Sequence, residues 1–239
     1  MVTLNGELAY LAGALRDGTV VIRSGYDYEV RLAQKSREWL EVLNDLFARI
    51  FGRSGSIYRE KRRGASGAVR AYYVLRIFDK RVVGELIRLF DIATPQTRWG
   101  TPDIIRRAGA DIVKHYVRGF FDAEGGLPKD PTRAKQHYIS FDQANLDALA
   151  FIRSQLAQMG YRPTRITKTG GVWQFRLTRR ADIMRFKNKI GSWHPEKKRR
   201  LDLLYASLGR QDLLFPSSPL HPSAQLPPPP ELAGGHHKG

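Results

Sequence analysis

The chain carries one internal duplication, and this feature constrains its fold more than any other. LAYLAGALRDG near the start and HYVRGFFDAEGG further along are both apolar segments that contain a glycine and lead into an acid followed by glycine. The aligned residues and their spacings are Asp17 and Glu124 (107), Gln34 and Gln143 (109), and Gly52 and Gly160 (108). Spacings that agree within two residues predict two copies of one structural unit in a single chain.

Both copies predict the same order of elements, αββαββα. The segment 37–51 carries apolar residues at helical spacing, with Ser36 as its N-cap and Gly52 as the residue that ends it. The predicted strands are TVVIR, YEVRLAQ, SIYREKRR and AVRAYYVLRIF in the first copy, and HYISF, RPTRITK and VWQFRLT in the second. The predicted boundaries are a first half over 1–93, a linker over 94–101, a second half over 102–208 and a proline-rich, disordered tail over 209–239. The fold class is therefore α+β, with two antiparallel sheets.

Composition points to a polyanionic partner. The formal net charge is +17 and the isoelectric point is near 10.4, a surplus that favours nucleic acid first and an anionic membrane surface second. The chain has no basic amphipathic helix, no apolar run of membrane-spanning length and no signal peptide, so we expect a cytoplasmic protein with no membrane partner. It has no cysteine, which excludes disulfides and thiolate metal sites. Arginine outnumbers lysine, which suits phosphate and guanine contacts and equally a GC-rich or thermophilic source.

The two acid-ended helices predict a metal site. Small residues such as Ala9, Gly13 and Gly119 would let the two helix backbones approach closely, and this packing would bring Asp17 and Glu124 together. Two carboxylates at the negative ends of helix dipoles repel each other, and a divalent cation between them removes that repulsion. Oxygen ligands favour Mg²⁺, and a basic chain around such a site indicates phosphodiester hydrolysis. The alternative is that both acids are ordinary helix exits, but their equivalent places in the duplication favour a site.

The predicted strands alternate apolar residues with basic and polar ones, as half-buried sheets do. A sheet face rich in Arg, Gln and Thr can follow a DNA groove and contact base edges. The candidate DNA contacts are Arg23, Arg31, Arg59, Lys61, Arg70, Tyr72, Arg76, Arg165, Thr167, Lys168, Gln174, Arg176 and Thr178. The alternative is a solvated sheet face, which the shortage of alternating acids on these strands disfavours.

LAGALRDG and VRGFFDAEG resemble the paired signature of the LAGLIDADG homing endonucleases. AQK at the end of the second predicted strand, SFDQ in the second copy and WHPEKKRRLDLL near the end are similar to other parts of that family. The likeness covers about residues 5–208 and is closest to the monomeric, intron-encoded members of archaea. Without an intein splicing block, the chain is expected to be freestanding.

The resemblance implies a pseudo-twofold fold in which the signature helices pack together and two antiparallel sheets form a saddle. The saddle would hold double-stranded DNA with a long, pseudopalindromic target, and one chain would act as a monomer. The implied reaction is hydrolysis of one phosphodiester per strand, with short 3′ overhangs. It would use Mg²⁺, with Mn²⁺ or Ca²⁺ able to replace it in binding. The alternatives are a maturase that binds intron RNA without cutting DNA, and a DNA-binding regulator with inactive metal sites.

The resemblance also implies roles for individual residues. It assigns metal binding to Asp17, Glu124, Gly18 and Gly125. It assigns the positioning of metal-bound water to Gln34 and Gln143, and stabilisation of the phosphorane charge to Lys35.

The first motif is one residue short. Gly119 and Glu124 are five positions apart, as the family pattern requires, whereas Gly13 and Asp17 are four apart, so that strict alignment places Gly18 at the acid position. We expect a shortened or tightened helix end that still presents Asp17. The alternative is an impaired first site that cuts one strand poorly.

The second copy lacks a lysine that matches Lys35, because Ala144 follows Gln143. Lys129 and Lys168 are both candidates for that role. Asp142 competes with Gln143 as the polar group nearest the metal.

Overall fold

The computed structural model of the protein describes residues 2–23, 27–63, 67, 69–92 and 99–214. The first half contains helices α1 (Gly6–Ala14), α2 (Arg37–Phe51) and α3 (Lys80–Phe90), and strands β1 (Gly18–Arg23), β2 (Asp27–Gln34), β3 (Ser56–Arg63) and β4 (Val69–Phe78). The second half contains helices α4 (Asp103–Arg106), α5 (Ala110–Glu124), α6 (Leu146–Gln158), α7 (Arg180–Lys189) and α8 (Pro195–Leu214). Its strands are β5 (Gly125–Gly126), β6 (Ile139–Gln143), β7 (Thr167–Thr169) and β8 (Val172–Leu177).

Each half forms one four-stranded antiparallel sheet with the same topology. The strand orders are β1-β2-β4-β3 and β5-β6-β8-β7. The predicted order αββαββα is therefore confirmed in both halves, with the short α4 and the long α8 added in the second. The local signals on α2 also hold, because Ser36 accepts from the Trp39 N–H and Gly52 ends the helix at φ +65°.

The two halves meet through α1 and α5. A Cβ atom on Gly13 would lie 2.3 Å from the carbonyl oxygen of Tyr116, and one on Gly119 would lie 2.0 Å from that of Tyr10. The helices therefore pack backbone to backbone, as the small residues predict. Large aromatic side chains, including the fully buried Phe120, fill the core on either side of this contact.

Three predicted segments differ from the structure. RPTRITK contributes only its last two residues to β7, because Pro163 has no N–H to donate and the Thr164 hydroxyl accepts from the Arg176 N–H at 2.9 Å. HYISF is displaced, since β6 begins only at Ile139. Helix α8 continues past residue 208 to Leu214.

Parts of two predicted segments lie outside the described residues, namely 94–98 of the linker and 215–239 of the tail. No helix in the described part of the chain is both long and apolar enough to cross a membrane.

Candidate metal and nucleic-acid site

The end of α1 compensates for the missing residue of the first motif. Residues Leu15–Asp17 form a 3₁₀ turn between α1 and β1, whereas α5 remains α-helical as far as Glu124. A 3₁₀ helix rises about 2.0 Å per residue against about 1.5 Å in an α-helix, so three residues of the first span about the length of four of the second. The tightened helix end predicted from the sequence is confirmed, and Asp17 directly precedes β1 as Glu124 directly precedes β5.

The carboxyl groups of Asp17 and Glu124 lie close together in a poorly solvated place. Burial raises the pKa of Asp17 to about 6. Burial, and then repulsion from Asp17, raises the pKa of Glu124 to about 7. Such shifts mean that two negative charges are unfavourable here unless a cation accompanies them.

The two predicted glutamines both reach the acids. Gln143 donates from Nε2 to the Oε1 of Glu124 at 3.2 Å, and Gln34 hydrogen-bonds to Asp17. Asp142 points to the other face of β6, where it accepts from the Ser140 hydroxyl at 3.0 Å. Of the two competing neighbours, Gln143 is therefore the one that contacts the acid.

A half-buried lysine that was not predicted from the sequence lies beside both acids. Lys197, in the first turn of α8, donates from Nζ to the carbonyl oxygens of Phe121 at 2.8 Å and Asp122 at 2.7 Å. Its charge lowers the pKa of both Asp17 and Glu124, against the stronger effect of burial. Lys197 stands in WHPEKKRRLDLL, and the resemblance of this segment to the family assigns no role to any one of its lysines.

The candidate lysines from the sequence lie elsewhere. Lys129 is exposed in the connection after β5, and Lys168 stacks on Trp173 with Nζ at 5.3 Å from the ring centroid. Lys35 is exposed in the turn between β2 and α2. In the second half, the lysine beside the acids is Lys197 and neither of the two candidates.

Asp122 fixes the loop that precedes α8 and so positions Lys197. Its carboxylate accepts from the backbone N–H groups of Trp193 at 2.8 Å and His194 at 3.0 Å, and from the Ser192 hydroxyl. The Tyr10 hydroxyl, from the other half, donates to Asp122 at 2.7 Å. No local signal in the sequence assigns a role to Asp122, which stands two residues before Glu124 inside the second motif.

The carboxylates and their surroundings fit a divalent cation with few protein ligands. No cluster of three or more His, Cys, Asp or Glu residues occurs in the described ranges. A cation held by Asp17, Glu124 and backbone oxygens near Gly18 and Gly125 would therefore keep coordination positions for water and phosphate. Mg²⁺ is commonly bound in this way, by one or two carboxylates together with substrate phosphates.

The first sheet has an open face made of residues that alternate with the buried Leu32 and Leu75. Glu60 on this face accepts from Arg31 at 2.7 Å and from Arg62 at 2.9 Å. Ion pairs therefore link the basic side chains here, and the expected shortage of acids on the strands is wrong for this sheet. The predicted contacts on this face are Arg31, Arg70, Tyr72 and Arg76.

The open face of the second sheet carries a polar chain of hydrogen bonds. Asp142 accepts from Ser140 and from Gln174, and Arg176 donates from Nε to the Oε1 of Gln174 at 3.0 Å. The Arg176 guanidinium lies over the Tyr138 ring at 4.6 Å from its centroid. The predicted contacts on this face are Thr167, Gln174 and Arg176.

Most of the remaining candidates lie outside the strand residues of the two open faces. Arg59 and Lys61 share the face of β3 that begins with the core-packed Ile57, because the register places them opposite Tyr73 and Ala71. The residues outside the strand ladders are Arg165, exposed in the irregular segment before β7, and Thr178, exposed one residue after β8. Arg23 ends β1 opposite Asp27, and its side chain lies outside the described part of the chain.

Comparison with known proteins agrees with this geometry. The family model described as LAGLIDADG-like domain matches residues 5–88 and again residues 111–191, one match in each half. The chain belongs to the LAGLIDADG-like family. Homing endonuclease I-ApeI of Aeropyrum pernix is 31% identical over 208 residues, which cover 85% of this chain and 87% of that protein.

Solved structures share the LAGLIDADG fold. The crystal structure of I-DmoI in complex with DNA and Mn matches with a TM-score of 0.56 and 19% identity, over 79% of this chain and 97% of that chain. The homing endonuclease I-WcaI bound to its DNA recognition sequence matches with a TM-score of 0.61 and 14% identity, over 84% of this chain and 88% of that chain. Both likenesses confirm the α+β architecture with two antiparallel sheets.

Proposed function

We propose that the protein is a site-specific endonuclease that hydrolyses one phosphodiester in each strand of double-stranded DNA and leaves short 3′ overhangs. The observation that carries this proposal is the meeting of Asp17 and Glu124 at the ends of two packed helices, each directly before the first strand of a sheet. The similarity to I-ApeI, which is named as a homing endonuclease, supports the same reaction.

A divalent cation, with Mg²⁺ as the first choice, would supply Lewis-acid stabilisation of the phosphate and a more acidic bound water. I-DmoI structures are described with Mn, Mg and Ca, which supports use of such ions in the family. In this chain Asp17 and Glu124 would hold the cation. Gln34 and Gln143 keep these carboxylates oriented through the hydrogen bonds described above.

Lys197 contributes a fixed positive charge next to the reacting phosphate. Its ammonium group is held by carbonyl oxygens at the end of α5, so no reorganisation is needed when negative charge develops. Lys35 is exposed beside Gln34. It would stabilise the charge on the phosphate of the second DNA strand, once bound DNA places that phosphate next to it.

The two open sheet faces would hold the DNA. The net charge of +17 supplies general attraction to phosphates, and the arginine, glutamine and threonine side chains would contact base edges over a long, pseudopalindromic target. Because residues 1–93 and 102–208 supply both halves, a monomer is sufficient.

The test is incubation with a plasmid that carries the intronless form of the host sequence, with Mg²⁺ and with EDTA. We expect linear plasmid only with Mg²⁺, and no linear product from Asp17→Asn or Glu124→Gln. Asp45→Asn, an exposed carboxylate on α2, should cut as the wild type does. Binding of intron RNA without DNA cleavage would replace the endonuclease proposal with the maturase.

A further inference from the structure

Arg76 and Arg176 occupy equivalent places in the two sheets. The register pairs Gln34 with Tyr73 and Gln143 with Trp173, so that each arginine lies three residues further along the strand that pairs with the glutamine strand. Both side chains belong to the open faces and are half-buried.

Arg76 is fixed by three neighbours on its own sheet. Its Nε and Nη2 donate to the two carboxylate oxygens of Glu29, the second at 2.9 Å, and Glu29 is only 1% exposed. Its guanidinium lies over the Phe78 ring, with Cζ 4.5 Å from the centroid, and Tyr58 also hydrogen-bonds to it. A guanidinium held in this way on its Nε edge keeps donors on its Nη atoms for a ligand.

Arg176 is fixed in a parallel way by different residues. Its Nε donates to Gln174 and its guanidinium stacks on Tyr138, as described above. Gln174 is in turn held by Asp142. In both sheets, then, the Nε edge is bound by a side chain of the same face and an aromatic ring supports the guanidinium plane.

We propose that Arg76 and Arg176 each read a guanine, at two positions of the target related by the pseudo-twofold axis. The forked Nη edge of arginine matches the O6 and N7 acceptors of guanine in the major groove. Glu29 is the positioning residue for Arg76, since it fixes the guanidinium orientation and is itself almost fully buried. This inference rests on the proposed DNA-cleaving function.

The other arginines of the first open face lack this symmetry. Arg31 and Arg62 share Glu60, and the residue equivalent to Arg31 in the second sheet, two before Asp142, is Ser140. We therefore expect Arg31 and Arg62 to make contacts in only one half of the target.

The experiment is selection of bound duplexes from a randomised library in Ca²⁺, followed by sequencing, with the full chain. We expect the wild type to enrich a motif with guanines at two symmetry-related positions. Arg76→Lys should relax the preference at one of them and Arg176→Lys at the other, each by about 5- to 150-fold, because lysine keeps the charge but not the fork. Glu29→Gln should relax only the Arg76 position.

Arg88→Lys on α3, where Arg88 pairs with Glu85 on the helix surface, is the matched control and should leave the motif unchanged. Thermal melting of each variant establishes that it is folded, and the preserved preference at the unaltered position does so independently. Enrichment of a motif that both arginine variants leave intact, or a loss of preference spread evenly over the target, would overturn the inference and leave the proposed function standing. If the wild type enriches no sequence at all, both the inference about guanine and the proposed function are wrong.

Discussion

Gly13 and Gly119 each face the backbone of the opposite helix, and neither position has room for a Cβ atom. The nearest carbonyl oxygens would lie 2.3 and 2.0 Å from such an atom. This close approach fixes the distance between α1 and α5, and through it the separation of Asp17 and Glu124 at their ends. Stability and activity should therefore respond together to substitution at these glycines.

Gly119→Ala should lower the free energy of unfolding by at least about 1–3 kcal/mol, because the contacted atoms are backbone and cannot rotate away. The measurement is urea unfolding followed by circular dichroism. Gly84→Ala is the matched control, since Gly84 also lies within a helix but a Cβ there meets nothing within 4 Å. That variant should be more stable than wild type by roughly 0.5–1 kcal/mol. Equal stability of the two variants would contradict the close packing.

The carboxyl pair should make the metal-free protein less stable as pH rises. The pKa of Asp17 is raised from 3.8 to about 6 and that of Glu124 from 4.5 to about 7, so between these limits the folded state holds protons that the unfolded state has lost. Stability from these groups is present below about pH 4 and is lost as pH passes through 6 to 7.

Glu124→Gln removes one of these charges and should therefore be more stable than wild type at pH 8 in EDTA, by roughly 1–3 kcal/mol. The difference should vanish at pH 4, where the wild-type carboxyl is neutral, and should shrink when Mg²⁺ is added at pH 8. Melting curves at the three conditions measure this, with Asp45→Asn as the exposed control. A wild type that is the more stable protein at pH 8 without metal would refute the assignment.

Much of the fold could be predicted from the sequence because its signals are local or repeated. The helical stripe of α2, its cap at Ser36 and the paired motifs each follow from spacing alone. The end of the short first motif could also be predicted, because Asp17 needs only a tighter turn to remain at the helix end.

The rest depended on contacts between distant segments. Lys197 is 73 residues from Glu124 and reaches it only through the docking of α8, and no periodicity reports such an approach. The face on which Arg59 lies depends on the register between β3 and β4, which the alternation within one strand does not fix. Glu29 and Glu60 were visible in the strands, but their pairing with arginines required the order of the strands in the sheet.

Tyr10 and Asp122 should be energetically coupled across the two halves. The Tyr10 hydroxyl donates to Asp122 at 2.7 Å and accepts from the Trp39 indole N–H at 3.0 Å, and all three side chains are buried. Tyr10→Phe should cost roughly 1–3 kcal/mol, because it leaves the indole N–H without its acceptor. Asp122→Asn should cost more, because a single amide oxygen cannot accept from all the donors that the carboxylate serves.

The measurement is a double-mutant cycle on the free energy of unfolding, for which we expect a coupling of roughly 0.5–3 kcal/mol. Tyr58→Phe, whose side chain lies on the open face of the first sheet beside Arg76, provides the additive control with Asp122→Asn. Strict additivity of Tyr10→Phe and Asp122→Asn would show that the hydrogen bond between the halves contributes nothing.

Lys197→Met should abolish or strongly slow DNA cleavage while DNA affinity changes little. The ammonium group of Lys197 interacts with both Asp17 and Glu124, whereas one positive charge among the 40 lysines and arginines adds little to general attraction. Loss of a preorganised charge of this kind costs about 100- to 1,000-fold in rate in other enzymes. Single-turnover cleavage in Mg²⁺ and binding in Ca²⁺ separate the two effects, and Lys198→Met, exposed at the next position, should behave as wild type in both. If Lys197→Met cleaves DNA as fast as the wild type, the role of this lysine is only to bind the carbonyl groups at the end of α5.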